Sequence, residues 1–148
     1  MKISTKMSEA KNLDHALTLI TRHLNADTAT VHFLGEDGLL HLAAATPGLP
    51  EAVLSTISLI PVGKGMAGLA VERRCPVDAC NIQTDGSGDV RPGARATGLS
   101  GAVVVPIFRD DDVIGALGVA DRGERTFSEA ETQKLIKAGR LLAQLNRA

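Results

Sequence analysis

The chain has 148 residues, of which 44% are hydrophobic and 22% charged, and its formal net charge at pH 7 is −1. This size and composition predict one soluble globular domain over residues 1–148, and the ending 146–148 predicts no attached output domain. The sequence has no run of Lys or Arg and only three aromatic residues, so we expect no nucleic-acid partner. It has no apolar stretch of the ~20 residues that a membrane span needs and no secretory signal, so we expect a cytoplasmic protein without a membrane partner.

The first third of the chain predicts a helix followed by a β-hairpin. An apolar stripe at helical spacing predicts a helix over 8–24, and Asn25 is a plausible left-handed stop. Residues 28–34 alternate as a strand does, a turn is expected at 35–38, and 39–45 reads as the second strand. The alternation places Ala29, Val31 and Phe33 on one face and Thr28, Thr30 and His32 on the other.

The middle of the chain predicts short helices over 51–57 and 66–73, an extended piece at 58–61 and a short strand over 75–79. The second of these helices is introduced by Gly63-Lys64-Gly65, which lacks the full phosphate-loop spacing. We therefore interpret these glycines as a helix start that needs flexible backbone.

The segment from Asn81 to Ser100 is rich in Gly, Asp and Arg and is long for a connection without secondary structure in a compact domain. Connections of this kind are usually functional or mobile. Its few large apolar residues predict that it cannot anchor itself firmly.

The last third predicts a hairpin and a long helix. Two apolar runs between Ser100 and Ala120 flank the acidic turn Asp110-Asp111-Asp112. The helix that follows opens with a capping box made by Ser128 and Glu131 and carries one apolar stripe. This order of elements predicts an α/β (α+β) sandwich, in which a mainly antiparallel sheet carries the N- and C-terminal helices on one face and the middle segment on the other.

The chain resembles the GAF domain family from about Leu13 to Leu145. The resemblance is carried by the order and spacing of four short segments rather than by any one of them. These are the opening helix Leu13–Leu17, the Gly-rich entry Ile60–Gly68, the region Pro76–Asp85, and a closing hairpin with Val104–Ile107 and Val113–Leu117.

The resemblance implies a sensory or regulatory module that holds a small molecule between the sheet and the middle loops and dimerises through its terminal helices. Arg91 and Arg95 are candidates for binding an anion, because a guanidinium presents several N–H donors in a fixed, planar arrangement. Exposed arginines are, however, commonly only solvated. The other candidate ligand-binding residues are His41, which faces either the pocket or solvent, and Asn81, Asp85, Asp89, Thr97 and Ser100. Closure of the segment 81–100 over a ligand would then bias the terminal helices.

An alternative reading comes from the free methionine-R-sulfoxide reductases, which the chain resembles in size. Those enzymes place cysteines or acids where this chain has Ala67, Gly93–Ala96, Ala102, Gly118 and Ala120. A thiol enzyme without these groups is a weak catalyst, so we expect no enzymatic activity. A dimerisation module without a ligand is the other alternative.

Cys75 and Cys80 are too few for a disulfide framework and form at most a redox pair. The offset of five residues would place them on opposite faces of a continuous strand, so we favour two small buried hydrophobes. The four histidines are scattered over a helix and two strands and lack the spacing of a metal or haem site, so no metal is expected. The motifs of the cyclic-nucleotide and bilin-binding members of the family are absent.

Overall fold

The structure is a computed structural model that describes residues 2–3, 5, 10–84 and 98–146. The helices are α1 (Leu13–Leu24), α2 (Glu51–Thr56), α3 (Gly65–Arg73) and α4 (Glu129–Leu145). The strands are β1 (Thr28–Leu34), β2 (Leu39–Ala45), β3 (Leu59–Pro61), β4 (Val77–Ala79), β5 (Ala102–Arg109) and β6 (Asp112–Ala120).

The strands form one antiparallel sheet in the order β3-β2-β1-β6-β5-β4. The chain therefore builds the β1–β2 hairpin first and completes the sheet with the β5–β6 hairpin, whose strand β6 pairs with β1 at the centre. This arrangement confirms the predicted α/β sandwich with a mainly antiparallel sheet.

Helices α1 and α4 pack together on one face of this sheet, as predicted. Their apolar stripes meet the inward residues of β1, β5 and β6 in the largest cluster of buried side chains, which includes Leu17, Ile20, Val31, Val105 and Leu142. Burial of each such side chain stabilises the fold by about 1.5–3 kcal/mol. The opposite face carries α3 and a smaller cluster that contains Leu40, Ile60 and Val71.

Two helix ends follow the predicted capping chemistry. The Ser128 hydroxyl accepts from the Glu131 N–H at 3.1 Å, and the Glu131 carboxylate accepts from the Ser128 N–H at 2.9 Å, which completes the capping box. Asn25 ends α1 with a φ of 54°, in the left-handed region. The predicted start of α1 at residue 8 is wrong, because Asn12 is extended and its side chain caps the helix by accepting from the His15 N–H at 2.8 Å.

The predicted bounds of one strand and one turn are also corrected. The strand expected over 75–79 begins only at Val77. The turn expected to span Asp110–Asp112 has two residues, because Asp112 already pairs with Arg109 and the left-handed Asp110, with a φ of 54°, makes the reversal.

Candidate ligand cavity

A cavity of about 430 Å³ lies on the sheet face opposite α1 and α4, between the sheet and the segment that contains α2 and α3. This volume falls within the range of small-molecule sites in proteins. Its floor is formed by Thr28, Thr30, His32, Ala102, Val104, Gly118, Val119 and Ala120 of the sheet. Its other described walls are formed by Leu49, Val53, Thr56, Ile57, Ile60, Lys64, Gly65, Met66, Ala67, Ile82 and Leu99.

The polar groups of the floor come from one strand. Thr28, Thr30 and His32 occupy alternate positions of β1, so all three side chains project from the same face of the sheet. The intervening Ala29 and Val31 are buried against the terminal helices. The predicted alternation of β1 is therefore confirmed, and one strand separates the helix core from the cavity.

His32 is the most constrained polar group in the cavity. Its side chain is 3% exposed, and its Nε2 donates to the Ile57 carbonyl oxygen over 2.8 Å. A carbonyl can only accept, so the proton of a neutral ring lies on Nε2 and Nδ1 is left as an acceptor. Burial lowers the pKa of His32, and the hydrogen bond to Ile57 offsets only part of this effect, so the neutral ring is favoured. Within the described residues, Nδ1 has no hydrogen-bond partner.

The start of α3 forms part of the opposite wall. Lys64 precedes the helix without a side-chain cap, and the N–H groups of the first turn have no acceptor within the helix. Gly63 and Gly65 have φ angles of 88° and 64°, which confirms a helix entry that needs left-handed backbone. Gly68 lies so close to strand β3 that an added Cβ would overlap the Pro61 carbonyl oxygen, so only glycine lets α3 approach the sheet.

The cavity owes much of its volume to the small side chains that line it. Ala67, Ala102, Gly118 and Ala120 all line it. Ala102 and Ala120 are directly opposite each other in the β5–β6 pair, and Thr28 faces Ala120 on the other side. The centre of the floor, along β6, is therefore a shallow apolar trough bordered by the polar row of β1.

The three described candidate binding residues, His41, Asn81 and Ser100, do not line this cavity. His41 is exposed, and its Nε2 contacts the Asp37 carboxylate at 2.9 Å. It lies opposite Phe33, which packs on the side of the terminal helices. Asn81 donates to Glu124 at 2.8 Å, and the Ser100 N–H donates to the Asp121 carbonyl at 2.7 Å; neither lines the cavity. Asp85, Asp89, Arg91, Arg95 and Thr97 lie outside the described residues.

The two described ends of the segment 81–100 are anchored, in contrast to the expectation from its composition. Ile82 and Leu99 are 5% and 8% exposed and reach the cavity wall. The Ile82 N–H donates to the Ser100 carbonyl at 2.6 Å, which holds the two ends side by side. The composition of the segment does not predict this anchoring, because the burial of Ile82 and Leu99 depends on contacts with Ala102 of β5 and Ala120 of β6.

Cys75 and Cys80 are both free and exposed, so the prediction that they are buried hydrophobes is wrong. Strand β4 is too short to include either residue, which leaves both outside the sheet. Neither cysteine lines the cavity. Among residues 10–84 and 98–146, no group of three His, Cys, Asp or Glu side chains is placed to hold a metal ion.

The alternation of β1 correctly predicted the face of the strand that carries His32, but His32 was not among the candidate site residues. The signal that could have found it is the row Thr-x-Thr-x-His on one face of an otherwise apolar central strand. A buried polar row of this kind needs partners or a ligand.

Comparison with known proteins gives one family match and one fold. The chain matches the family model described as the GAF domain over residues 6–145. A search of curated protein sequences found no match. No helix in the described parts of the chain combines the length and apolarity needed to cross a bilayer.

Several solved structures share the fold. The GAF domain of an Acinetobacter phosphoenolpyruvate-protein phosphotransferase is 20% identical with a TM-score of 0.76, covering 97% of this chain and 87% of that chain. The corresponding domain from Coxiella burnetii is 22% identical with a TM-score of 0.76, covering 96% and 86%. Free methionine-R-sulfoxide reductase from Neisseria meningitidis, solved with its substrate, is 18% identical with a TM-score of 0.75, covering 97% and 83%. These identities support a shared fold and leave the activity of this chain to its own residues.

Proposed function

The chain belongs to the GAF domain family, and we propose that it is a sensory domain that binds a small molecule in the cavity over β1 and passes the binding event to its terminal helices. The observation that carries the proposal is the cavity itself. It has a volume suited to a small molecule, apolar walls, and a few polar groups that converge from β1 and the start of α3.

The same cavity supports binding rather than catalysis. The resemblance to the free methionine-R-sulfoxide reductases would require a cysteine or an acid at several positions, and Ala67, Ala102, Gly118 and Ala120 occupy four of them. All four line the cavity, where side chains without polar atoms can neither attack a substrate nor hold an ionised one. Cys75 and Cys80 are exposed and do not line it.

Strand β1 supplies a direct path from the cavity to the helices. Thr28, Thr30 and His32 line the cavity, while Ala29 and Val31 pack against the helix core. A ligand that shifts β1 by a fraction of an ångström would therefore change how α1 and α4 pack against the sheet. We extend the proposal to a cytoplasmic homodimer formed through these two helices, and to closure of the segment 81–100, of which residues 85–97 lie outside the described part.

The test is native mass spectrometry of the protein purified from its own host, which reports bound mass and subunit number together. We expect a non-covalent small molecule on the wild type. Ala67→Leu should lose it, because the larger side chain fills the cavity from its α3 wall. Ala52→Leu is the matched control, because Ala52 is exposed on α2.

Three results would count against the proposal. An equal bound mass on wild type and Ala67→Leu would place the ligand elsewhere. A dimer without bound mass under any growth condition would favour a dimerisation module. Reduction of methionine sulfoxide that is lost in Cys75→Ser or Cys80→Ser would favour the enzyme.

A further inference from the structure

We propose that this cavity selects a neutral, largely apolar ring compound that carries a hydroxyl group and donates it to Nδ1 of His32, as a phenol or naphthol does. This inference rests on the proposed binding function and names the ligand class. Three features of the cavity support it: the charges of the described walls, the fixed orientation of one histidine and the shape of the floor.

The charges on the described walls of the cavity favour a neutral ligand. The described walls contain no Asp or Glu, so they offer no counter-charge to a cationic group held against them. Lys64 is the one residue of these walls that always carries a full charge, and it is exposed, so its ammonium group remains hydrated at the rim. A carboxylate held against these described walls would lose its hydration without gaining a buried ion pair from them.

The orientation of His32 selects a donor. Its Nε2–H is committed to the Ile57 carbonyl at 2.8 Å, which leaves Nδ1 as an acceptor without a partner among the described residues, in a side chain that lines the cavity. The hydroxyl groups of Thr28 and Thr30 can rotate and either donate or accept, so they accommodate a ligand without discriminating between donors and acceptors. A ligand without a donor would leave Nδ1 desolvated and unpaired, which corresponds to about a tenfold loss of affinity.

The floor has the shape for a flat ring. Gly118 and Ala120 form its centre on β6, with Thr28 and Thr30 opposite them on β1. On the other side, Ala102 and Val104 of β5 are opposite the same two residues. Three adjacent strands thus present a trough with almost no side-chain relief at its centre. A planar apolar ring can cover this trough and bring an edge hydroxyl to the polar row of β1.

The test compares three ring compounds that differ only in one group. These are 2-naphthol, 2-methoxynaphthalene, which keeps the oxygen but lacks the donor, and 2-naphthoate, which is charged. Binding is measured by calorimetry at pH 7.5 and followed by probe fluorescence, which has no protein background because the chain has no Trp or Tyr. We expect 2-naphthol to bind about tenfold more tightly than the ether, and naphthoate to bind more weakly than both.

Three variants locate the interaction. His32→Phe should bring 2-naphthol and the ether to equal affinity, whereas His32→Gln, whose amide can donate to Ile57 and still accept, should keep part of the preference. Gly118→Val should weaken all three probes, because its side chain occupies the trough. Circular dichroism verifies that each variant is folded, and the comparison of the three probes on wild type requires no variant.

The outcomes separate this inference from the proposed function. Equal affinities of 2-naphthol and its ether for the wild type, or tighter binding of naphthoate, would overturn the neutral-donor class. Binding that Gly118→Val leaves unchanged would place the probes elsewhere and overturn it as well. If none of the probes binds while native mass spectrometry finds a charged or non-cyclic molecule lost in Ala67→Leu, the ligand class is wrong and the sensory function stands. If none binds and no bound mass is found, both proposals fail.

Discussion

The side chain of Arg125 joins the C-terminal end of α1 to the N-terminal end of α4, and replacing it with methionine should lower the free energy of unfolding by about 3.5 kcal/mol. Its guanidinium donates at 2.8 Å to the carbonyl oxygens of Leu24 and Asn25, where α1 ends. It also donates to Asp121 at 2.8 Å and to Glu131 of the α4 capping box at 2.5 Å. Its carbon lies 4.2 Å from the centre of the Phe127 ring.

The magnitude follows from these contacts. Each of the two helix-end carbonyls loses a charged donor, at about 1 kcal/mol net. The carboxylates of Asp121 and Glu131 are 15% and 27% exposed, so solvent screens them in part and each pair contributes about 0.5 kcal/mol. The cation–π contact with Phe127 adds about 0.5 kcal/mol. For a domain of this size, the sum of about 3.5 kcal/mol lowers the melting temperature by about 7–14 °C.

The assay is thermal and urea unfolding followed by circular dichroism, because the chain lacks Trp and Tyr. Arg122→Met is the matched control, since it removes the same charge from an exposed side chain only three residues away. Arg125→Lys should recover only part of the loss, because an ammonium group cannot reach several acceptors in a fixed fork. If Arg125→Met is destabilised by no more than Arg122→Met, the reasoning about this network is refuted.

Two further predictions concern the strands that form the cavity floor. Because burial lowers the pKa of His32 from 6.5, the unfolded chain binds a proton before the folded one does, so the wild type should lose stability as the pH falls below about 6.5. His32→Gln removes this dependence, and urea midpoints at pH 7.5 and 5.5 that fall equally in both proteins would contradict it. Gly115→Ala should cost about 2–3 kcal/mol, because its Cβ would overlap the His32 carbonyl oxygen across the β1–β6 pair. Gly123→Ala is the control, because its Cβ meets nothing within 4 Å, and equal melting temperatures for the two variants would show that β1 moves aside at little cost.

Features set by neighbours in the chain could be predicted from the sequence. The strand alternation of β1, the left-handed end of α1 at Asn25 and the capping box at Ser128 and Glu131 all depend on residues within a few positions of one another. The start of α1 was predicted too early. The side chain of Asn12 caps the helix, and this cap outweighs the apolar pattern that precedes it in the sequence.

The site itself was harder to predict, because the direction in which a histidine points depends on strand register. His41 was selected, yet its pairing with Phe33 turns it toward the side of the terminal helices. A bulge in the β1–β2 pair between Val31 and His32 changes the register just before this point. A shift of one residue exchanges the two faces of a strand, and no local pattern fixes it.

The sequence by itself determined the family, the class of fold, and which side chains form the helix core, because helical and strand periodicity are short-range properties. Only the tertiary structure decided that the polar row of β1 meets the start of α3 across a cavity. It also decided that Arg125 binds the C-terminal end of α1, where its partner Asn25 is 100 residues away in the sequence. Both depend on chain segments that are distant in sequence and are brought together by burial of the sheet, and the free energy of that burial belongs to the whole fold rather than to any one segment.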